Sequence, residues 1–104
     1  MSVSTHVLDS TRGRPAAGVP VRLYRDGHEA GGGRTDADGR LRWESVGGAG
    51  IYRLVFEVGG YFAGHGVETF YPEVVITFRV GEDGGHCHVP LLLSPFAYST
   101  YRGS

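Results

Sequence analysis

The chain has 104 residues, with ten arginines and no lysine against eleven aspartate and glutamate residues, so its formal net charge is -1. This length predicts one domain spanning residues 1–104, because a chain of this size buries roughly two-thirds of its unfolded surface on folding. The balanced charge argues against nucleic acid or an acidic membrane surface as a partner.

Cysteine content and apolar patterning bear on the compartment. Cys87 is the only cysteine, which excludes an internal disulfide and fits a reducing environment. No stretch approaches the roughly 18 apolar residues of a membrane span, and the start "MSVSTHVLDS" lacks the basic and then apolar pattern of a secretory signal. We therefore expect a soluble, cytoplasmic protein.

Hydrophobic residues recur at every second position along the predicted strands. In chain order these positions are Val19, Val21 and Leu23; Tyr52, Leu54, Phe56 and Val58; Val74, Ile76, Phe78 and Val80. Turn-forming stretches such as "RDGHEAGGGRTDADGR", "VGGAG" and "VGEDGGH" separate these runs. Short turns favour antiparallel pairing, and two such sheets packed face to face would form a β-sandwich of about seven or eight strands. Only "GGYFAGHGVETFYP" lacks alternation, and it predicts a short helical turn at residues 61–63.

Histidines lie on two of the predicted strands. His6 in "STHVLD" points to the face opposite its two neighbours, and His86 and His88 project together from one side of a later strand. Imidazoles two residues apart are a possible zinc site. A third ligand would have to be His6, because Cys87 points the other way. We therefore predict no metal, and a satisfied, partly exposed strand residue is the alternative for each histidine.

Arg40 ends the stretch "TDADGR". Asp36, Asp38 and Gly39 predict an Asx-type turn that fixes the backbone and directs the arginine side chain. A solvated hairpin arginine is the alternative.

The terminal run "SPFAYSTYRGS" carries aromatic and charged residues where chain ends are usually frayed and featureless. The run either closes the sandwich as an aromatic edge strand or is held in place for a functional role, with Tyr98, Tyr101 and Arg102 as the residues concerned.

Four segments together resemble the transthyretin-related 5-hydroxyisourate hydrolase family: "STHVLDSTRGRPAAGVPVRL", "GRTDADGR", "YFAGHG" with "TFYPEVVITF", and above all "HCHVPLLLSPFAYSTYRGS". The resemblance spans essentially the whole chain, and the terminal Tyr-Arg-Gly-Ser separates these enzymes from transthyretin, the hormone carrier of the same fold. It implies an all-β, prealbumin-like sandwich of two antiparallel four-stranded sheets with one short helix. It also implies a homotetramer, a dimer of dimers, with the active sites in a channel between the dimers.

The resemblance further implies the site residues. Its motifs place catalytic roles on His6, Arg40, His88 and Ser104, and substrate contacts on His6, Arg40, Tyr101, Arg102 and Gly103. His86 receives no role, and Cys87 stands where an aromatic residue is frequent. No cofactor is implied, and the substrate would be 5-hydroxyisourate.

The chemistry of that reaction suits these side chains. Hydrolysis of the N1–C6 ring amide requires a base that takes a proton from water and a donor that stabilises the oxyanion. A histidine that is largely neutral near pH 7 fits the first task, and the fixed donor fork of an arginine fits the second. No Ser-His-Asp set is evident, so direct attack by water is expected, with the Ser104 hydroxyl or terminal carboxylate orienting the water or a histidine.

Two other classes remain possible from the sequence. A binding module like transthyretin would hold an aromatic ligand in the same channel without turnover. A structural or adhesive sandwich domain would need none of the polar site residues. A decay assay on the substrate distinguishes the enzyme from both.

Overall fold

Nine strands and one helix make up the computed structural model, which describes all 104 residues. They are β1 Ser2–Asp9, β2 Arg14–Pro15, β3 Pro20–Arg25, β4 His28–Arg34, β5 Arg40–Trp43, β6 Gly50–Phe56, α1 Val58–Gly64, β7 Val74–Val80, β8 His86–Ser94 and β9 Ala97–Thr100. The short helix lies where the alternating pattern breaks, which confirms that prediction.

The strands form two sheets, one of order β4-β3-β6-β7 and one of order β2-β1-β8-β9 in which β5 also pairs with β1. β5 and the two-residue β2 share a single edge of β1, with Val3 to His6 pairing to β5 and Leu8 to Asp9 pairing to β2. The second sheet thus has five strands, one more than the predicted four, because two short strands share one edge of β1. The predicted β-sandwich with one short helix is confirmed.

One strand pair departs from the predicted antiparallel arrangement. β1 and β8 run parallel over eight residue pairs, from Ser2 opposite His86 to Asp9 opposite Leu93. These two strands lie near opposite ends of the chain, so no tight turn fixes their relative direction, and the intervening elements serve as the long connection that parallel neighbours need.

The core lies between the two sheets. The residues predicted to point inward are buried or nearly so, with Val21, Leu23 and Leu54 at 1% exposure or less. Val3, Val7, Leu91 and Leu93 oppose them from the five-stranded sheet. Burying a Val or Leu side chain contributes about 1.5–3 kcal/mol, so this contact between the sheets fixes which face of β1 and β8 points outward.

Helix α1 is stabilised by tertiary contacts, since it contains three glycines and has no side-chain cap. Val58, Tyr61 and Phe62 are buried. The Tyr61 hydroxyl donates to the buried carboxylate of Asp9 at 2.8 Å, and burial together with this bond raises the pKa of Tyr61 to about 12. The phenol therefore stays a donor near neutral pH and ties α1 to the end of β1. No helix in the chain is long and apolar enough to span a membrane.

Candidate active site

The outward face of β1 carries the first of the predicted site residues. Thr5 and Val7 are buried and Ser4 and His6 are only partly covered, as the two-residue period of a half-buried strand requires. The Thr5 hydroxyl donates to the carbonyl oxygen of Val89 at 2.7 Å. That bond fixes β1 against β8 from the inside, so His6 points outward, as predicted.

A tight turn delivers Arg40 to this face. One Asp36 carboxylate oxygen accepts the backbone N–H groups of Asp38 and Arg40, both at 2.9 Å, which confirms the predicted Asx-type turn. Gly39 has φ +75, and a Cβ there would lie 2.4 Å from the carbonyl oxygen of Val7, so only glycine lets the turn approach β1 this closely. Arg40 therefore begins β5 directly opposite His6, and side chains at such pairs have Cβ atoms about 4.5–5.5 Å apart.

His88 reaches the same face from the other side of β1. The parallel register sets it opposite Ser4, and its Nδ1 lies 2.7 Å from the Ser4 Oγ. Its Nε2 remains available to a substrate. Partial burial, followed by the positive charge of Arg40 and the neighbouring His86 and His6, lowers the pKa of His88. The imidazole is therefore neutral at neutral pH and able to accept a proton.

The terminal segment returns beside His88. The backbone N–H of Gly103 donates to the carbonyl oxygen of His88 at 2.9 Å, which forms an isolated antiparallel bridge. A Cβ at Gly103 would lie 2.5 Å from Cδ2 of the His88 ring, so the absent side chain leaves room for the imidazole. The backbone bond and this close contact hold the terminal segment beside His88 at Gly103.

Tyr101 and Arg102 line a pocket of about 260 Å³ that also touches Cys87 and His88. Its opposite wall consists of Ile76 and Phe78 on β7, together with their neighbours in that strand. Tyr101 is 60% exposed. The pocket therefore lies between strand β7 and the terminal segment, beside His88. Arg40 is not one of its lining residues.

Within one protomer, the predicted residues are only partly brought together. His6, Arg40 and His88 share the outward face of neighbouring strands β5, β1 and β8. Arg40 lines a separate shallow depression of about 190 Å³ with Ser4 and Asp36. Ser104 is exposed, and no hydrogen bond or ion pair joins it to the other predicted residues. The face is open, so a single protomer does not enclose a substrate.

Sequence reasoning gave no role to two residues of this face, Ser4 and His86. Ser4 lies between the imidazoles of His86 and His88 and is within hydrogen-bond distance of both. The His-Cys-His spacing was a signal for His86, but its contact with Ser4 depends on the parallel register of β1 and β8, which no local pattern reveals. No group of three or more His, Cys, Asp or Glu side chains is placed to hold a metal ion.

The arrangement combines a neutral imidazole, a second imidazole and a guanidinium on one polar surface. The imidazoles can exchange protons with a bound molecule, and the guanidinium offers several donors to a developing oxyanion. Such a set suits hydrolysis of an activated carbonyl by water.

Comparison with known proteins connects this face to a family. The family model described as HIUase/Transthyretin matches residues 3–103. A 5-hydroxyisourate hydrolase of Caulobacter vibrioides is 47% identical, covering 98% of this chain and 97% of its own length. The structure of Klebsiella pneumoniae 5-hydroxyisourate hydrolase has a TM-score of 0.91 at 40% identity and full coverage of both chains. Sea bream transthyretin in complex with thyroxine has a TM-score of 0.89 at 30% identity, covering 97% of this chain and 93% of its own.

Proposed function

This chain belongs to the HIUase/transthyretin family, and from that membership and the geometry of its outward sheet face we propose that it hydrolyses 5-hydroxyisourate. The bond broken is the N1–C6 ring amide, and the product is 2-oxo-4-hydroxy-4-carboxy-5-ureidoimidazoline, an intermediate of urate degradation. The relatives named as 5-hydroxyisourate hydrolases are 47% and 40% identical to this chain, against 30% for sea bream transthyretin, which supports the enzyme over a carrier.

One observation carries the proposal: two imidazoles and one guanidinium converge on a single face from three adjacent strands. A neutral histidine removes the proton of the attacking water, and Arg40 stabilises the oxyanion at C6 with its donor fork. The second imidazole supplies a proton to the departing ring nitrogen. The reaction then needs no covalent enzyme intermediate and no cofactor. A channel that only holds an aromatic ligand needs none of these groups, so their convergence favours turnover.

The exposure of the His6, Arg40 and His88 face supports association with further copies of this chain. Substrate sites exclude water on most sides, whereas here the His6, Arg40 and His88 face lies at the surface of the protomer. A second copy placed against this face would enclose it, and closed symmetric assemblies are the common solution. An open face of this kind fits the homotetramer, a dimer of dimers, that the family resemblance implies, and we propose that Tyr101, Arg102, Gly103 and Ser104 line the site enclosed in it.

The function is tested with substrate made in place from urate and uricase. The protein should accelerate the loss of 5-hydroxyisourate over its spontaneous decay, followed by ultraviolet absorbance. Equal decay with and without folded protein would favour the transthyretin-like carrier, and thyroxine binding would then be the next measurement.

The assembly is tested by deleting residues 101–104. The deletion should abolish turnover and leave thermal unfolding nearly unchanged, since the core residues between the sheets are untouched. Light scattering of both proteins reports whether the tetramer persists. Full activity in the shortened protein would show that the terminal segment only closes the sheet edge.

A further inference from the structure

A row of four polar side chains runs along the outward face of β1 and β8. Ser2 Oγ lies 2.7 Å from His86 Nδ1, His86 Nε2 lies 2.8 Å from Ser4 Oγ, and Ser4 Oγ lies 2.7 Å from His88 Nδ1. The imidazole planes of His86 and His88 are nearly parallel, at 18° to each other, and the ring centroids are 6.4 Å apart. The row thus forms a continuous hydrogen-bonded chain from His88 to Ser2.

An unbroken donor-to-acceptor chain has two neutral forms, in each of which the Ser4 hydroxyl accepts from one imidazole and donates to the other. If Ser4 donates to His88 Nδ1, then His88 carries its proton on Nε2, and His86 donates from Nε2 to Ser4. If Ser4 accepts from His88 Nδ1, then His88 presents a lone pair on Nε2, and Ser4 donates to His86 Nε2. The tautomers of the two imidazoles are therefore linked through Ser4.

The parallel register is what creates this link. It sets Ser2 opposite His86 and Ser4 opposite His88, so each hydroxyl reaches across to the neighbouring strand. His86 is exposed and Ser2 is partly exposed, so the far end of the chain meets solvent. The near end presents His88 Nε2 on the face shared with His6 and Arg40.

We propose, building on the hydrolase function above, that Ser4 and His86 are positioning residues that form a proton relay behind His88. When His88 Nε2 accepts a proton from the attacking water, its Nδ1 proton passes to Ser4 Oγ, and the Ser4 hydroxyl proton passes to His86 Nε2. The His86 Nδ1 proton passes in turn to Ser2 Oγ, whose own proton is released to solvent. One proton enters at His88, one leaves at Ser2, and every group remains neutral.

The surroundings of His88 favour such a neutral route. Arg40 and His6 face it from β5 and β1, His86 is its neighbour on β8, and Tyr101 and Arg102 line the adjacent pocket. Burial and the nearby positive groups disfavour its imidazolium form. Passing the second proton onward avoids that charged form during turnover.

Three variants separate a relay from simple support of the ring. Ser4→Ala breaks the chain at His88, His86→Phe breaks it one step later and leaves the Ser4–His88 contact, and Ser4→Thr keeps a hydroxyl. Ser10→Ala, at an exposed position just after β1, is the matched control. The relay predicts a kcat about tenfold or more lower in Ser4→Ala and His86→Phe, with KM within twofold of wild type, recovery in Ser4→Thr and no change in Ser10→Ala.

The imidazole nitrogens provide a readout without substrate. Nitrogen-15 NMR shifts report which ring nitrogen is protonated, and Ser4→Ala should change the tautomer populations of both His86 and His88. If the wild type is inactive but these shifts change together, the hydrolase assignment fails while the linked chain stands. Normal kcat in His86→Phe, or unchanged His86 shifts in Ser4→Ala, would overturn the relay.

Discussion

The two faces of β1 both carry polar side chains, yet the two rows are used differently. On the inner face Thr5 and Asp9 are 1% exposed, and their bonds go to the Val89 carbonyl oxygen, the Tyr61 hydroxyl and nearby backbone N–H groups. On the outer face Ser4 and His6 are only partly covered. The inner polar groups hold elements together, whereas the outer groups are directed toward solvent and the neighbouring imidazoles.

The contrast shows how one strand can serve both stability and chemistry. A buried polar group without its partner costs about 1–3 kcal/mol, so the inner row is fully paired. Removing the partner of an exposed group lowers the stability of the folded protein only slightly. Substitutions on the inner face should therefore destabilise the fold, and those on the outer face should lower activity with little change in stability.

The largest expected effect is on the outer face. His88→Asn and His6→Asn should each lower kcat/KM by about a hundredfold to ten-thousandfold, the usual contribution of a general acid or base. Thermal unfolding, measured by calorimetry, should shift by no more than a few degrees. His28→Asn, exposed on the other sheet, should change neither quantity. If both site variants keep wild-type activity, the two histidines do not handle protons.

Asp9→Ala is the inner-face counterpart. It removes the acceptor of the buried Tyr61 hydroxyl and of two backbone N–H groups, so the free energy of unfolding should fall by about 3 kcal/mol. Urea denaturation measures the change. Activity per folded molecule should stay within about twofold, and Asp83→Ala in the exposed β7–β8 loop should leave stability unchanged. A large fall in activity at unchanged stability would invalidate the division between the faces.

Arg40→Lys keeps the charge and removes the donor fork. Loss of an oxyanion donor of this kind costs on the order of a hundredfold in kcat, and the unfolding midpoint should not move. Arg42→Lys, two residues along the same strand and exposed, is the matched control because it makes the same exchange at a neighbouring arginine; it should lower kcat by less than about threefold. Equal losses in the two variants would show that the effect is not specific to the donor fork of Arg40.

Gly103→Ala addresses the contact between the terminal segment and the site. The added methyl group would lie 2.5 Å from the His88 ring, so the ring must move, and a displacement near 1 Å can cost about a hundredfold in rate. A tenfold or greater loss of kcat with unchanged thermal stability is expected. Gly85→Ala, where a Cβ meets nothing within 4 Å, is the control, and equal activity in both variants would contradict the contact.

The smallest effect is on the pH profile. Because burial and Arg40 lower the pKa of His88, the acid limb of kcat/KM should lie below pH 6.5, the ordinary histidine value. Arg40→Gln should move this acid limb to higher pH, since a positive charge near the imidazole is lost.

The same lowered pKa affects stability. As pH falls below 6.5, His88 is protonated in the unfolded chain before it is protonated in the folded protein, so stability should decrease slightly. NMR titration of His88 checks the direction in both proteins, and a limb above 6.5 in the wild type would contradict it.

The sequence predicted those features of the fold that depend on residues close together in the chain. Alternation at Val21, Leu23 and Leu54 predicted which faces are buried, and Asp36 with Gly39 predicted the turn before Arg40. These outcomes depend on steric and hydrogen-bonding preferences within a few residues. The family resemblance added the site residues, and the structure places His6, Arg40 and His88 on one face. The roles of these three residues stay predictions, as do those of Tyr101, Arg102, Gly103 and Ser104.

The amino-acid sequence by itself determined the alternating strands, the helical turn near Tyr61 and the outward direction of His6, His86 and His88, because side-chain direction in a strand follows from its two-residue period. Only the tertiary structure decided which strands are neighbours. The parallel pairing of β1 with β8 sets Ser4 between His86 and His88, and it follows from packing both strands against one core rather than from any turn between them. Contacts between residues far apart in the chain depend on that global packing, which local patterns do not encode.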